Sequence, residues 1–263
     1  MTTLSTYLSI TNNMSRWLAA TQQSPAVSVA TKYFEDNIGK VTSASEFVNN
    51  PRLFDYAMTA FGLGDMTYAQ GLMKQVLAQG VNKSNALANT LPNPAYHALA
   101  AAFDFADDGS STTASPSLVT DVVNRYYENS LQTTEGQQDP GVQLALYFQQ
   151  NAPSVTSMYG ILGDQNLLTV VQTALGISPL TSEEPIDTQA QALSRELNLS
   201  DFQNPTKLQA FIERFAANYD SKNGTSESSV ETLFNLPTAA ANGGGISSTL
   251  LLQAQNTNFS ILL

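Results

Sequence analysis

His97 is the single histidine of a 263-residue chain that has no cysteine, which excludes thiolate nucleophiles and leaves metal ligation to that residue and the acids. With no second His and no Cys, a metal site would rest on carboxylates, which favour hard ions. A Ser-His-Asp triad lacks its sequence sign, a nucleophile set between glycines on a strand-to-helix turn. His97 follows Tyr96 just after Asn93-Pro94, and we read it as structural. Two acidic clusters raise a calcium reading: Asp104, Asp107 and Asp108 in DFADDGS, and Asp220 followed by Asn223, Gly224 and Glu227. An EF-hand loop needs oxygens at its first, third and fifth positions, glycine at the sixth and glutamate at the twelfth. Counting from Asp220, Gly224 falls fifth and Glu227 eighth, so both clusters read as turns that end helices.

Glu183-Glu184 precedes Pro185 and a helix expected from near Asp187, where acids favour the positive end of the helix dipole. A glycosidase pair needs two acids roughly 5 to 9.5 Å apart in a cleft. Among 22 acidic residues such a pair stays open, but no spacing points to one. Gly243–Gly245 is followed by neither Lys-Ser nor Lys-Thr and preceded by no strand, so it reads as a hinge and not a phosphate loop. The sequence therefore nominates no catalytic residue, no cofactor-binding residue and no metal site.

Composition narrows the partners. Hydrophobic residues make up 42%, enough for a real core, while charged residues are only 13% against a usual share of about 25%. The formal net charge is −11, with cations such as Arg52, Lys74 and Lys83 scattered singly. Neutralising phosphates takes clustered cations, so nucleic acid and anionic membrane surfaces are not expected partners. The start, MTTLSTYLSITNN, lacks the basic and apolar regions of a cleavable signal peptide, and no run suits membrane insertion.

The elements expected around these residues are helices. In PRLFDYAMTAFG, Phe54, Ala57, Met58 and Phe61 share one helical face. Asn50 supplies an N-cap, Pro51 a first helical residue and Gly62 a left-handed stop. Ser43-Ala44-Ser45-Glu46 has the spacing of a capping box. The pattern then recurs. YFEDNIGKVTS, from Tyr33, returns as YFQQNAPSVTS, from Tyr147, 114 positions later. Tyr33–Gly62 and Tyr147–Gly176 share ten identities in thirty ungapped positions, where chance gives about two at roughly 7% usage per residue. Asn93-Pro94 and Asn204-Pro205 open a further pair of helices. No period-two run bounded by hairpin turns suggests a strand.

The expected fold is all-α, a multi-helix bundle built from two similar helical units by internal duplication. The boundaries read as an N-terminal helix over 1–23 and a first repeat unit over 24–109. A connecting helix with loops follows over 110–137, then a second unit over 138–235. The Gly-hinged tail over 236–263 carries no charge from Ile246 onward. Within it Leu250, Leu251, Leu252, Phe259, Ile261 and Leu262 either complete the second core or dock into a partner as a helix in a groove.

The stretch from Thr31 to Leu77, together with PGVQLALYFQQNAPSVTSMYGILGD and NPTKLQAFIERFAANYD, resembles a bacterial family catalogued as domain of unknown function 1217. The resemblance implies a helical fold, sometimes in several copies, and genes that often lie among flagellar genes. It carries no catalytic residue over to this chain. The expectation is a non-enzymatic protein associated with the bacterial flagellum, acting in assembly or structure through protein–protein contacts with flagellar components. A cytoplasmic adaptor or regulator of flagellar export is the alternative. An enzyme with carboxylates in a groove between the repeats comes third. Localisation is expected to be cytoplasmic or flagellum-associated, and oligomeric state is left open.

Overall fold

Proline recurs at helix starts because its missing N–H falls where a helix has no use for one. A computed structural model describes residues 1–223. In chain order the helices are α1 (Thr3–Asn12), α2 (Met14–Gln23), α3 (Pro25–Ile38), α4 (Ala44–Val48) and α5 (Pro51–Ala60). They continue as α6 (Gln70–Gln79), α7 (Leu87–Thr90), α8 (Ala95–Ala102), α9 (Pro116–Gly136) and α10 (Pro140–Asn151). The last are α11 (Met158–Leu162), α12 (Gln165–Leu175), α13 (Ile186–Glu196) and α14 (Pro205–Asn223). Short 3-10 turns fill several connections, and no strand occurs among the described residues.

Two hydrophobic cores organise these helices. Residues of α3 to α8 build the first around Phe47, Phe54 and Phe103, all fully buried. The Phe47 ring meets Phe54 edge-on at 6.1 Å and stacks on Phe103 at 4.7 Å. Each such side chain contributes about 1.5–3 kcal/mol by leaving water. The second core gathers α10 to α14 around Phe148, Ile161, Val171 and Phe215. Phe148 meets Phe202 edge-on at 5.1 Å and stacks on Phe211 at 5.4 Å.

Local bonds 114 positions apart take the same form. Asn37 Nδ2 donates to the Tyr33 carbonyl, and Asn151 Nδ2 to the Tyr147 carbonyl. Ser43 caps α4 and Ser157 caps α11 through their hydroxyls. Asn50 Oδ1 accepts from Leu53 N, and Asp164 Oδ1 from Leu167 N. Gly62 and Gly176 both take φ +71°, a left-handed conformation that needs glycine. Each stop is sealed by a six-residue backbone bond, Leu63 N to Met58 O at 2.7 Å and Ile177 N to Gln172 O at 2.8 Å.

Three local expectations are corrected. The N-terminal helix is two helices, because Asn13 leaves the helical conformation while its side chain bonds Ser9 O at 3.2 Å. Both pack on the second core, with Tyr7 and Ile10 buried and Leu8, Trp17 and Leu18 against it. The capping box is displaced: Glu46 Oε2 accepts from Thr42 N and Thr42 Oγ1, not from Ser43 N. Asp220 is no turn residue. It lies inside α14, and its two oxygens accept from Thr3 N at 2.7 Å and Leu4 N at 3.1 Å. A carboxylate thereby meets the free N–H groups and positive end of α1.

Gly141 sits where α1, α10 and α14 converge. A Cβ there would fall 2.6 Å from Tyr219 Cδ1 and 2.7 Å from Thr3 Oγ1. Gly141→Ala should therefore lower stability by about 1–3 kcal/mol through overpacking, read as an earlier urea midpoint at unchanged slope.

Candidate functional site

Helix α9 carries two faces of different chemistry. Leu118, Val122 and Val123 enter the first core, with Val119, Tyr126 and Tyr127 packed against it. Near its C-terminal end Leu131 enters the second core, so one helix serves both. Arg125, Glu128, Asn129 and Gln132 form a second stripe at i, i+3, i+4 and i+7. α10 has a counterpart: Val142, Ala145, Leu146 and Phe148 are buried in the second core, while Tyr147, Gln150 and Asn151 form a polar row.

The two polar rows meet in a seam. Gln150 Nε2 donates to Glu128 Oε2 at 2.8 Å, and Gln132 Nε2 donates to Gln150 Oε1 at 2.7 Å. Gln132 is only 5% exposed, so this chain of amides keeps a buried group satisfied. Arg125 Nε donates to Asp121 Oδ2 at 2.9 Å, and its guanidinium lies over the Phe61 ring at 5.0 Å. Tyr147 reaches across to Gly62, whose added Cβ would stand 3.6 Å from Tyr147 Cε2.

Two ionisable groups in the seam are displaced from their ordinary behaviour. Burial raises Glu128 above the usual carboxylate range; Arg125 and the bond from Gln150 pull the other way, and Asp121 adds repulsion. Burial raises Tyr147 as well, with the Asp164 carboxylate next to it as a further cause. Tyr147 OH donates to Asp164 Oδ2 at 2.6 Å, while Asp164 Oδ1 accepts from Asn166 N at 2.9 Å and Leu167 N at 3.0 Å. Asp164 is 3% exposed, and this set of donors makes its burial tolerable.

Clefts open on either side of Gln150. One, of about 180 Å³, runs between the two cores and is lined by Phe61, Gly62, Arg125, Asn129, Tyr147 and Asn151 among others. The other, of about 140 Å³, lies between α2, α9 and α10; Glu128, Gln132 and Gln149 face Met14, Leu131 and Leu146 there. Glu128 lines the second of these clefts, and no Asp or Glu lines the first. The seam can hold hydrogen-bond donors or stack a planar group. It does not present two carboxylates to one substrate atom.

The sequence-derived candidates lie elsewhere. His97 is exposed on α8. Asp107 and Asp108 are exposed, and Asp107 accepts from the Asn82 side chain. Glu183 and Glu184 are exposed just before α13. Among the described residues no group of three or more His, Cys, Asp or Glu could hold a metal ion. No described helix is long and apolar enough to cross a membrane. Leu250, Leu251, Leu252, Phe259, Ile261 and Leu262 lie outside the described residues. Sequence reasoning missed the seam, although the stripe at 125, 128, 129 and 132 was readable; it looks like an ordinary solvent face until α10 covers it.

Two packed cores threaded by one shared helix define the class, an all-helical protein among the described residues. The chain belongs to the family described as "Protein of unknown function (DUF1217)", whose profile matches residues 60–208. It is similar to the X-ray structure of protein AGR_C_984 from Agrobacterium tumefaciens. The two are 32% identical with a TM-score of 0.78, over 84% of this chain and 94% of that one. A search of curated proteins found no match.

Asp164→Ala removes a helix cap and strands the buried Tyr147 hydroxyl, so the loss should be about 2–4 kcal/mol in chemical denaturation. Asp164→Asn keeps a capping oxygen, as Asn50 does in the first half, and should lose markedly less. Glu128 supplies a pH test. Its raised folded-state pKa means the folded chain binds the proton more tightly than the unfolded one, so this residue's contribution is best at low pH and worsens as pH climbs through the folded value. Glu128→Gln should thus gain melting temperature relative to the parent as pH rises from 4.5, the ordinary value for a glutamate carboxyl, to neutral.

Proposed function

We propose that this protein is a non-enzymatic helical scaffold that acts through protein–protein contacts, in assembly or structure of the bacterial flagellum. The observation that carries the contact role is a surface poor in charge that still displays large apolar side chains. Val29 is 62% and Tyr68 77% exposed on the first half; Tyr159 and Ile186 are 50% and 54% exposed on the second. Tyr159 on α11 donates through its hydroxyl to Asp187 Oδ1 at 2.8 Å, next in sequence to Ile186 at the start of α13. Ion pairs among the described residues are sparse and exposed, so little electrostatic structure competes with apolar docking. The flagellar assignment rests on the family resemblance and on the gene neighbourhoods it implies.

The matching bonds at positions 114 apart support an origin of the two halves by duplication of one helical unit. A duplicated unit offers two related but diverged surfaces, which suits a connector between unlike neighbours. The tail with Leu250, Leu251, Leu252, Phe259, Ile261 and Leu262 is the proposed docking segment. An adaptor that stays in the cytoplasm and serves flagellar export is the second reading; the low share of charged residues, 13%, is common to both.

Deleting the gene should reduce flagellar number or swimming, and a tagged copy should copurify with basal bodies or filaments. Copurification with cytoplasmic export components alone would select the adaptor. Unchanged flagella and motility in the deletion strain would refute both. A chain cut after Asn242 should keep its melting temperature and lose the copurification.

A further inference from the structure

Helix α14 stands on the second core as α9 stands on the first. Both open on proline, and Arg125 and Asn129 of α9 return as Arg214 and Asn218 of α14, 89 positions later. The asparagine reaches the same corner in each half. Asn218 Nδ2 donates to the Thr173 and Ala174 carbonyls at 3.0 and 3.2 Å, next to the stop at Gly176. Asn129 Nδ2 lies 3.8 Å from where a Cβ on Gly62 would stand. The halves differ in what covers that corner. α10 lies along α9, where Gln150 bonds Glu128 and Gln132, the Gln143 side chain fills the space beside Gly136, and Tyr147 covers Gly62. Gly176 has the same φ of +71°, yet among the described residues nothing comes within 4 Å of its Cβ position. Ala217 and Ser221, the counterparts of Glu128 and Gln132, are exposed, and so is Arg214.

The complementary face belongs to α3. It precedes α10 by 114 positions, so Val29, Tyr33 and Asp36 stand where Gln143, Tyr147 and Gln150 meet α9. On α3 this face is open: Val29 is 62% exposed and the Asp36 side chain 55%. We propose that α14 of one copy receives α3 of a second copy, repeating between molecules the α9–α10 junction that each chain already contains. Tyr33 of the incoming copy then covers the bare corner at Gly176.

The charges fit this exchange. Inside the chain an acid on the receiving helix, Glu128, meets an amide on the incoming one, Gln150. Between copies the acid changes sides: Asp36 arrives where α14 carries Ala217, so no acid faces an acid. The Ser221 hydroxyl can donate to Asp36, and Arg214 stands one turn from Ala217. Asp36 is held only by an exposed pair with Lys32, which costs little to rearrange. Since α9 and α10 occupy each other, α14 and α3 are the two ends of the repeat with this face left open. They are unlike patches, so the contact is head-to-tail and adds copies in series instead of closing a two-fold dimer. The inference stands apart from the flagellar reading, and purified protein tests it.

A contact of one helix pair falls at the small, weak end of interfaces, so the full chain is followed by sedimentation velocity and light scattering up to high concentration. Its mass should rise with concentration and pass that of a dimer. Ala217→Glu sets an acid against Asp36, and Val29→Arg puts a long cation on the face of α3. Each should weaken association about tenfold or more, with circular dichroism and melting temperature at parental values. Adding Asp36→Gln to Ala217→Glu recreates the pairing of Gln150 with Glu128 and should restore association. An equal mixture of the Val29→Arg and Ala217→Glu chains retains one intact α14 and one intact α3, so it should form a dimer that grows no further. Single variants that associate like the parent, a mixture that stays monomeric, or a parent that stops at a symmetric dimer would each overturn the proposal. So would a parent that is monomeric at every concentration, which would leave the α14 face to a different partner.

Discussion

Helix α9 must satisfy two hydrophobic cores and a polar seam at once, and the architecture depends on that constraint. Val122 and Val123 are buried against the first core and Leu131 in the second, within one unbroken helix from Pro116 to Gly136. A rigid helix cannot tilt to improve one core without disturbing the other. The seam residues Glu128 and Gln132 are held in place by this double anchorage, and Gln150 answers them from α10. A half-buried carboxylate with a raised affinity for its proton is the local cost of joining two cores through a polar face.

The second anchorage joins the start of α1 to α10 and α14. Asp220, in the last turn of α14, takes the first two N–H groups of α1, and Thr3 Oγ1 donates to Asp139 Oδ2 at 2.9 Å. Asp139 also accepts from Gly141 N at the start of α10. Two carboxylates thus tie the start of the chain to α10 and α14, with Gly141 leaving the room that Thr3 and Tyr219 need. Charge is scarce on this protein, and part of it is spent on these internal bonds to backbone donors. Exposed ion pairs such as Lys32–Asp36, with side chains 77% and 55% exposed, contribute little by comparison.

The two halves use one local grammar with different chemistry at one corresponding point. In the first, Asn50 Nδ2 donates to Tyr33 OH at 3.4 Å, a long bond, and the Arg52 guanidinium lies 3.6 Å from the Tyr33 ring centroid. In the second, the donor is reversed: Tyr147 OH gives a 2.6 Å bond to Asp164. The change from amide to carboxylate turns a loose contact into a charge-assisted one. It falls where Tyr147 also lines the cleft between the cores, so the tighter bond fixes a wall of that cleft.

Sequence by itself determined the helices and their ends, because caps, Pro at first positions, left-handed glycines and 3.6-residue apolar periods act over a few residues. Ser43, Asn50 and Gly62 do in the structure what their positions announce. The buried face of α5, with Phe54, Ala57 and Met58, was legible for the same reason. Only the tertiary structure decided which helices share a core, that the N-terminal pair joins the second one, that Asp220 caps α1, and that the polar stripe of α9 faces α10 instead of water. A polar stripe has the same spacing whether water or another polar helix satisfies it, and a bond between Asp220 and Thr3 leaves no periodic trace across the intervening chain. Local rules reach one helical turn; the seam and its clefts come from surfaces that meet only when the whole chain packs.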